Sequence, residues 1–348
     1  ILLISFKKHL FDIPDERKVH QGVIPRLGGV SFFPAVVFTL ALMTGLNRIY
    51  GPEVFPSIIS GSDTAVLSFG LSSLLLLYLT GITDDLIGVR YYQKFIVQIF
   101  CAILLVTSGL WINNLYGIFG IYELPASVGI PFTVFAIVFI TNAINLIDGI
   151  DGLASGLSGI AFLFFTVLFA YQREWLYASL AIVTLGTLIP FFYYNVFGNP
   201  ARGRKIFMGD TGSLTIGFVL SILAIRFSMS DVTVLHRVPD AIVIAFSVLI
   251  TPVFDVVRVI LHRARFHKNI FSPDKNHIHH KFLALGFTHR AAMITILLIS
   301  AGFAAMNLLL LTHVNINVLL FLDIFIWTVM QLYLSYRIKR VNAAGSKH

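Results

Sequence analysis

The chain has 348 residues, 57% of them hydrophobic and 12% charged, and a mean hydropathy of +0.86. A soluble domain is roughly 45 to 50% apolar and about 25% charged, so the composition excludes one and points to an all-α polytopic membrane protein. The net charge of +8 requires no nucleic acid partner, because a basic bias on one membrane face and attraction to anionic lipid heads account for it.

In chain order, the opening ILLISF is too short to cross a bilayer and reads as the tail of a span whose beginning is missing. Crossing a hydrocarbon core of about 30 Å takes roughly twenty apolar residues. Such windows fall near 27–49, 64–83, 93–112, 130–147, 154–172, 176–194, 211–228, 239–261, 291–312 and 316–336. The expectation is therefore ten complete transmembrane helices, eleven with the remnant, forming one integral membrane domain over 1–348. No basic segment, apolar core and small-residue cleavage site combine into a signal peptide. The single cysteine, Cys101, lies within a span and excludes an intrachain disulfide or a Cys-based zinc site.

Loops near 7–26, 84–93, 148–153, 195–210 and 262–290 and the tail, together with Lys94 and Arg258 on the adjoining helix ends, hold all of the 25 Lys and Arg except Arg48, Arg173, Arg226 and Arg237. The positive-inside rule assigns that side to the cytoplasm. Six aspartates gather toward the same side: Asp84 and Asp85 in GITDDLIG, Asp148 and Asp151 in NAINLIDGIDGLASG, Asp210 in FMGDTGS, and Asp255 in TPVFDVVRV. One Asp at a helix end can be a cap. Adjacent carboxylates at a membrane boundary repel one another and lose hydration, so a cation should compensate them. Mg²⁺ suits oxygen ligands and keeps water and substrate phosphates in its shell.

Asn145 and Asp148 share a helix face at i and i+3, with Asp151 three residues on, and the glycines between them let a ligand approach the backbone. Arg202, Arg204 and Lys205 precede Phe207 and Asp210, where backbone N–H groups at a helix start favour anions. His277, His279 and His280 lie among basic residues. Without HExxH and with mainly Asp as partners, they suit phosphate hydrogen bonding better than zinc. A secondary transporter, the alternative of another class, would put charges near the midplane on broken helices, where only Asp323 stands; it is expected to be hydrogen-bonded inside the bundle. A scaffold has no reason to collect acids, histidines and arginines on one face.

PDERKVHQGVIPRLGG, GITDDLIGVRYYQKFIVQ, NAINLIDGIDGLASG, RKIFMGDTGSL and FSPDKNHIHHKF, in this order from Pro14 to Phe282, resemble the polyprenyl-phosphate N-acetylhexosamine-1-phosphate transferase family, of glycosyltransferase 4 type. The resemblance implies transfer of a sugar 1-phosphate from a UDP-sugar to undecaprenyl phosphate with release of UMP, the initiating step of a cell-envelope polysaccharide. It further implies a multi-pass protein of the bacterial inner membrane with its active site facing the cytoplasm. Mg²⁺ is the implied cofactor, with Mn²⁺ able to substitute, and a homodimer is compatible with the family.

By the same resemblance Asp210 binds Mg²⁺ and Phe207 stacks on uracil, with Asn145, Asp148 and Asp151 around nucleoside and metal. Asp84 and Asp85 are similar to paired acids beside the lipid phosphate, one of them a proposed base, and Lys94 to a lysine near the phosphates. Asn195 falls among the substrate-binding residues, and Arg202, Arg204, Lys205 and the three histidines would hold diphosphate. His-Ile-His-His followed by Lys281, with Val23 to Gly29, is similar to the branch using UDP-N-acetylglucosamine. Three consecutive histidines mark the UDP-MurNAc-pentapeptide branch, and Lys281 stands where Arg is frequent, which leaves other N-acetylhexosamines open.

Overall fold

A computed structural model describes residues 24–51, 63–231, 233–236, 238–269 and 276–345. The opening ILLISF and most of the expected loop at 7–26 lie outside them. The described chain forms α1 (Phe32–Tyr50), α2 (Asp63–Ile87), α3 (Tyr91–Thr107), a hairpin of β1 (Asn114–Ile118) and β2 (Ile121–Glu123), α4 (Ala126–Ile147), α5 (Leu153–Gln172) and α6 (Trp175–Phe197). After these come α7 (Gly209–Ser228), α8 (Ala241–Ser247), α9 (Ile250–Arg265), α10 (Ile278–Ala284), α11 (His289–Leu310) and α12 (Ile316–Gly345). Among the described residues eight helices are long and apolar enough to cross a bilayer, nine if the α8–α9 pair counts as one span, and α3 is a shorter apolar helix. Each of the ten expected windows thus overlaps a helix, and the chain is an all-α polytopic membrane protein.

Two boundaries differ from the sequence expectation. The third helix stops at Thr107 instead of continuing to 112, because Gly109 turns the chain at φ +93° and a hairpin follows. Phe119 and Gly120 between its strands have φ of 51° and 77°, the two positive values that a tight two-residue turn needs to match strand twist. The expected span at 239–261 is bent by 80° between α8 and α9. Pro252 explains the break: it has no N–H to donate, and its ring clashes with the carbonyl four residues earlier, at Val248.

The bundle is arranged around α7. Its membrane window is 94% buried, whereas no other candidate span exceeds 50%, and the buried positions include Thr211, Ser213, Thr215 and Ser221 as well as apolar side chains. Its neighbours come close at small residues. A Cβ on Gly81 of α2 would lie 2.4 Å from the Thr211 Cα, and one on Gly29 2.1 Å from the Gly212 Cα. This is the small-residue packing by which membrane helices gain contact without a hydrophobic driving force. At one end of the bundle Arg226 pairs with Glu174 and Asp231, both at 2.8 Å. Inside it, Asn307 donates to both carboxylate oxygens of Asp323 at 3.0 and 3.1 Å, so Asp323 is held by an amide as expected. The acids gather at the other end.

Candidate active site

The last turn of α2 places Asp84 and Asp85 at the negative end of a helix dipole, where carboxylates are disfavoured; both are compensated from outside. Asp85 faces the start of α7. Its Oδ1 accepts from the Asp210 N–H at 2.7 Å, and its Oδ2 from the Thr211 N–H at 3.0 Å and the Thr211 hydroxyl at 2.6 Å. A carboxylate from one helix therefore caps another, where unsatisfied N–H groups favour an anion. Gly209 makes room with φ +71°; a Cβ there would lie 2.5 Å from Asp85 Oδ2 and 2.1 Å from the Arg26 carbonyl oxygen.

Asp84, one residue earlier, turns elsewhere. Its Oδ1 accepts from the Val89 N–H at 2.6 Å, which closes the turn after α2. Its Oδ2 meets Lys94 Nζ at 3.1 Å, and the same ammonium lies 2.7 Å from Asp210 Oδ2. One lysine on α3 thus joins carboxylates from α2 and α7. Behind it, Asn145 donates to the Ser213 hydroxyl at 2.8 Å, and Asn142 donates to buried Gln98 at 2.5 Å. Gln98, Asn142 and Ser213 were not singled out from the sequence. The available signal was spacing, since Lys94 and Gln98 are i, i+4 and Asn142 and Asn145 are i, i+3 on apolar helices.

Asp148 and Asp151 follow the end of α4. Lys205 pairs with Asp151 at 2.5 Å. Asp148 has no cation partner among the described residues. Its side chain is exposed at the protein surface, and the protein packed around it, followed by the charges of Asp210, Asp151 and Asp85, pushes its pKa up to about 7. Loss of hydration and neighbouring negative charge act in the same direction on a carboxyl. Among the described residues no three His, Cys, Asp or Glu side chains form a ready metal ligand set. Mg²⁺ does not need one, since it is usually bound by one or two carboxylates and completed by water and phosphate oxygens. The oxygen-only donors and the unpartnered Asp148 fit it.

Asn195, expected at the substrate, is instead buried and occupied by backbone. It accepts from the Gly152 N–H at 2.6 Å and donates to the Ile206 carbonyl at 2.9 Å. It ties the Asp151 turn to the segment leading to Asp210. Asn195→Ala is therefore expected to lower stability by about 1–3 kcal/mol, the cost of unsatisfied buried groups. A melting curve together with the KM for nucleotide checks this; an unchanged melting temperature with a raised KM would restore the substrate role. Arg202 and Arg204 are exposed on a short turn, and Phe207 is half-buried. The Phe207 backbone is pinned, with its N–H on Pro25 O at 2.8 Å and its carbonyl accepting from Gly28 N–H at 2.9 Å.

The histidines close the same end. Asp255, fully buried, holds His277 Nδ1 at 2.8 Å, the Ile278 N–H at 3.0 Å and Arg258 at 2.8 Å. His279 is buried against Gly149, where an added Cβ would lie 2.2 Å from its Nε2. Its ring is parallel to His277 at 5.8 Å and lies 4.1 Å from His280. Burial, then the neighbouring His280 and His277, push the His279 pKa down to about 3, so at neutral pH it offers a hydrogen bond and no charge. Cationic partners for an anion must come from Lys94, Lys205 and the arginines. Lys281 faces away, bonded to Gln331 and Ser335 of α12 at 2.8 and 2.9 Å.

The structure thus brings Asp84, Asp85, Lys94 and Asp210 together, places Asp151 with Lys205, and sets His279 against Gly149. Residues 67–228, which hold all four members of the first group, match the glycosyl transferase family 4 profile. The chain is 35% identical over 303 residues to the probable undecaprenyl-phosphate N-acetylglucosaminyl 1-phosphate transferase of Bacillus subtilis (strain 168), covering 86% of this chain and 77% of the relative. It is 32% identical over 306 residues to the undecaprenyl-phosphate alpha-N-acetylglucosaminyl 1-phosphate transferase of Salmonella typhi, covering 87% and 77%. The Escherichia coli (strain K12) protein with the same name is 30% identical over 308 residues, covering 88% and 78%. Similarity that runs through the spans as well as the acid-bearing helix ends makes this chain a member of glycosyl transferase family 4, an enzyme of the phospho-sugar transferase type.

Proposed function

We propose that the protein transfers N-acetylglucosamine 1-phosphate from UDP-N-acetylglucosamine to undecaprenyl phosphate at the cytoplasmic face of a bacterial inner membrane, with Mg²⁺ as cofactor. An oxygen of the lipid phosphate forms a bond to the sugar-bearing phosphorus. The bond from that phosphorus to the bridging oxygen breaks, and UMP leaves with the bridging oxygen and its electron pair. The product, a lipid diphosphate sugar, is suited to begin an envelope polysaccharide. The observation that carries this reading is the Lys94 ammonium shared by Asp84 and Asp210 at 3.1 and 2.7 Å. The activity for which the relatives are named and the one-sided Lys and Arg distribution support the transferred group, the acceptor and the orientation.

A phosphate monoester has a second pKa near 6, so the acceptor is largely ionised at neutral pH. Charge neutralisation and positioning then matter more than the strength of any base. Lys94 holds the two carboxylates in register, Asp85 fixes the helix start that presents Asp210, and Lys205 with Arg202 and Arg204 offers cations to a diphosphate. Asp210, Asp148 and Asp151 are the residues to hold Mg²⁺, which when bound supplies positive charge to the phosphate oxygens. Half-buried Phe207 offers a ring for the uracil.

The decisive experiment supplies the purified protein with undecaprenyl phosphate and labelled donors, then measures butanol-extractable label. UDP-N-acetylglucosamine is expected to exceed UDP-MurNAc-pentapeptide by on the order of a hundredfold in kcat/KM, the scale on which a shaped site rejects a poorly fitting substrate. Preferential use of the pentapeptide donor would reverse the assignment of sugar, and absence of lipid-linked label from every donor would remove the acceptor.

A further inference from the structure

A second feature lies apart from the acids. Between α9, α10 and α12 runs a groove of about 600 Å³. Its apolar wall includes Phe254, Leu261 and Leu332, the last two exposed at the outer surface of the bundle, so the groove opens sideways. Along one edge stand Arg258, His262 and Arg265, a single helix face at i, i+4 and i+7, with Lys281 beside them. Among the described residues no Asp or Glu lines it.

The polar groups facing the groove are unfinished. Trp327 Nε1 and Gln331 Nε2, on residues each only 5% exposed, have no hydrogen-bond partner among the described residues. The same holds for Arg258 Nε and His262 Nδ1. Trp, Arg and the amide nitrogen of Gln can only donate, and buried donors left without acceptors are uncommon in folded proteins. A lateral apolar slot, an edge of positive charge and buried donors together describe the complement of an amphiphile with an anionic, acceptor-rich head.

We propose that this groove binds an anionic glycerophospholipid of the surrounding bilayer as a ligand distinct from either substrate, its phosphodiester on the Arg258–His262–Arg265 row and an acyl chain along Phe254, Leu261 and Leu332. The acceptor lipid is a poorer occupant. Its phosphate has to meet the donor at Asp84 and Asp210 on α2 and α7, whereas the groove lies on the α12 side of α9, away from the buried Val256 and Val259. Occupancy still reaches the site indirectly, because Arg258 is bonded to Asp255, and Asp255 to His277. A phosphodiester drawing on Arg258 acts on the group that orients that imidazole.

Trp327 supplies the probe. With Trp111 and Trp175 replaced by Phe, the protein is placed in phosphatidylcholine bilayers containing brominated phosphatidylglycerol or brominated phosphatidylcholine, and Trp327 emission is measured. Half-quenching is expected at a mole fraction roughly fivefold or more lower for the glycerol lipid, the preference that one basic residue near an anionic head confers. Arg265→Gln combined with His262→Gln should abolish most of that difference, and Arg265→Lys should keep it. On the unsubstituted protein, native mass spectrometry after lipid stripping should show one phosphatidylglycerol rebinding, which frees the test from the folding of the single-tryptophan variant. Equal quenching by the two lipids, or a preference that survives the double substitution, overturns the proposal. So does relief of quenching by unlabelled undecaprenyl phosphate at a lower mole fraction than by unlabelled phosphatidylglycerol, which would give the groove to the acceptor.

Discussion

Replacing Asp210 by Asn is expected to lower turnover by about a hundredfold to a thousandfold, the usual range when a preorganised charged group is removed from a phosphoryl or acyl transfer site, while the protein stays folded. The substitution is nearly isosteric. The capping of α7 uses the backbone N–H of residue 210, not its side chain, so the Asp85 contact at 2.7 Å is retained. What changes is charge: Lys94 loses the closer of its two carboxylates, the one at 2.7 Å, and the acid cluster loses the proposed Mg²⁺ ligand. Turnover measured across a Mg²⁺ titration after EDTA treatment, beside a melting curve, separates the two consequences. A folded variant turning over at near wild-type rate would remove Asp210 from the chemistry.

Asp85 and Asp84 should fail in opposite ways although they are neighbours. Asp85→Asn puts an NH₂ in place of one of the two carboxylate oxygens, so either the Asp210 N–H or the Thr211 N–H is left facing a donor. Leaving such groups unpaired costs about 3 kcal/mol, so the variant should melt several degrees lower and lose activity with its fold. Asp84→Asn keeps an acceptor for the Val89 N–H and surrenders the charge that meets Lys94 and the carboxyl contact with Asp210. It should melt near the parent temperature and turn over more slowly, with UDP affinity little changed if Asp84 serves the acceptor phosphate as proposed. Paired melting curves, UDP binding and single-turnover rates decide the matter. If Asp85→Asn melts normally, its cap contributes little; if Asp84→Asn keeps a normal rate or loses UDP, its placement toward the acceptor is wrong.

That contrast marks the limit of what the amino-acid order discloses. The helices in the ten apolar windows were legible because twenty apolar residues in a row have few other fates, and the acid-bearing ends stood out against them. Two adjacent aspartates look alike in sequence, yet successive helical residues point about 100° apart, so one caps α7 and the other meets Lys94. Asn195 sits at the edge of a basic motif and reads as a substrate residue; only the backbone groups around it show that both ends of its amide are occupied. Pro252 was visible, but its effect depends on whether surrounding helices tolerate a bend of 80°. The strands at 114–123 offered no alternating polar pattern, and their turn rests on a positive φ at Phe119, which composition does not disclose.

The burial of α7 bears on how the protein is made. Among the eight candidate spans it has the lowest mean hydropathy, 1.5, and the most enclosed surface, so the helix least suited to lipid is the one lipid scarcely touches. It leaves the ribosome after α1 to α6, and the glycine-lined faces of α2 and the segment before α1 are already waiting for it. Its departure from the insertion channel is therefore better described as docking into a prepared berth than as partitioning into a bilayer, and the order of synthesis becomes part of the instructions for assembly.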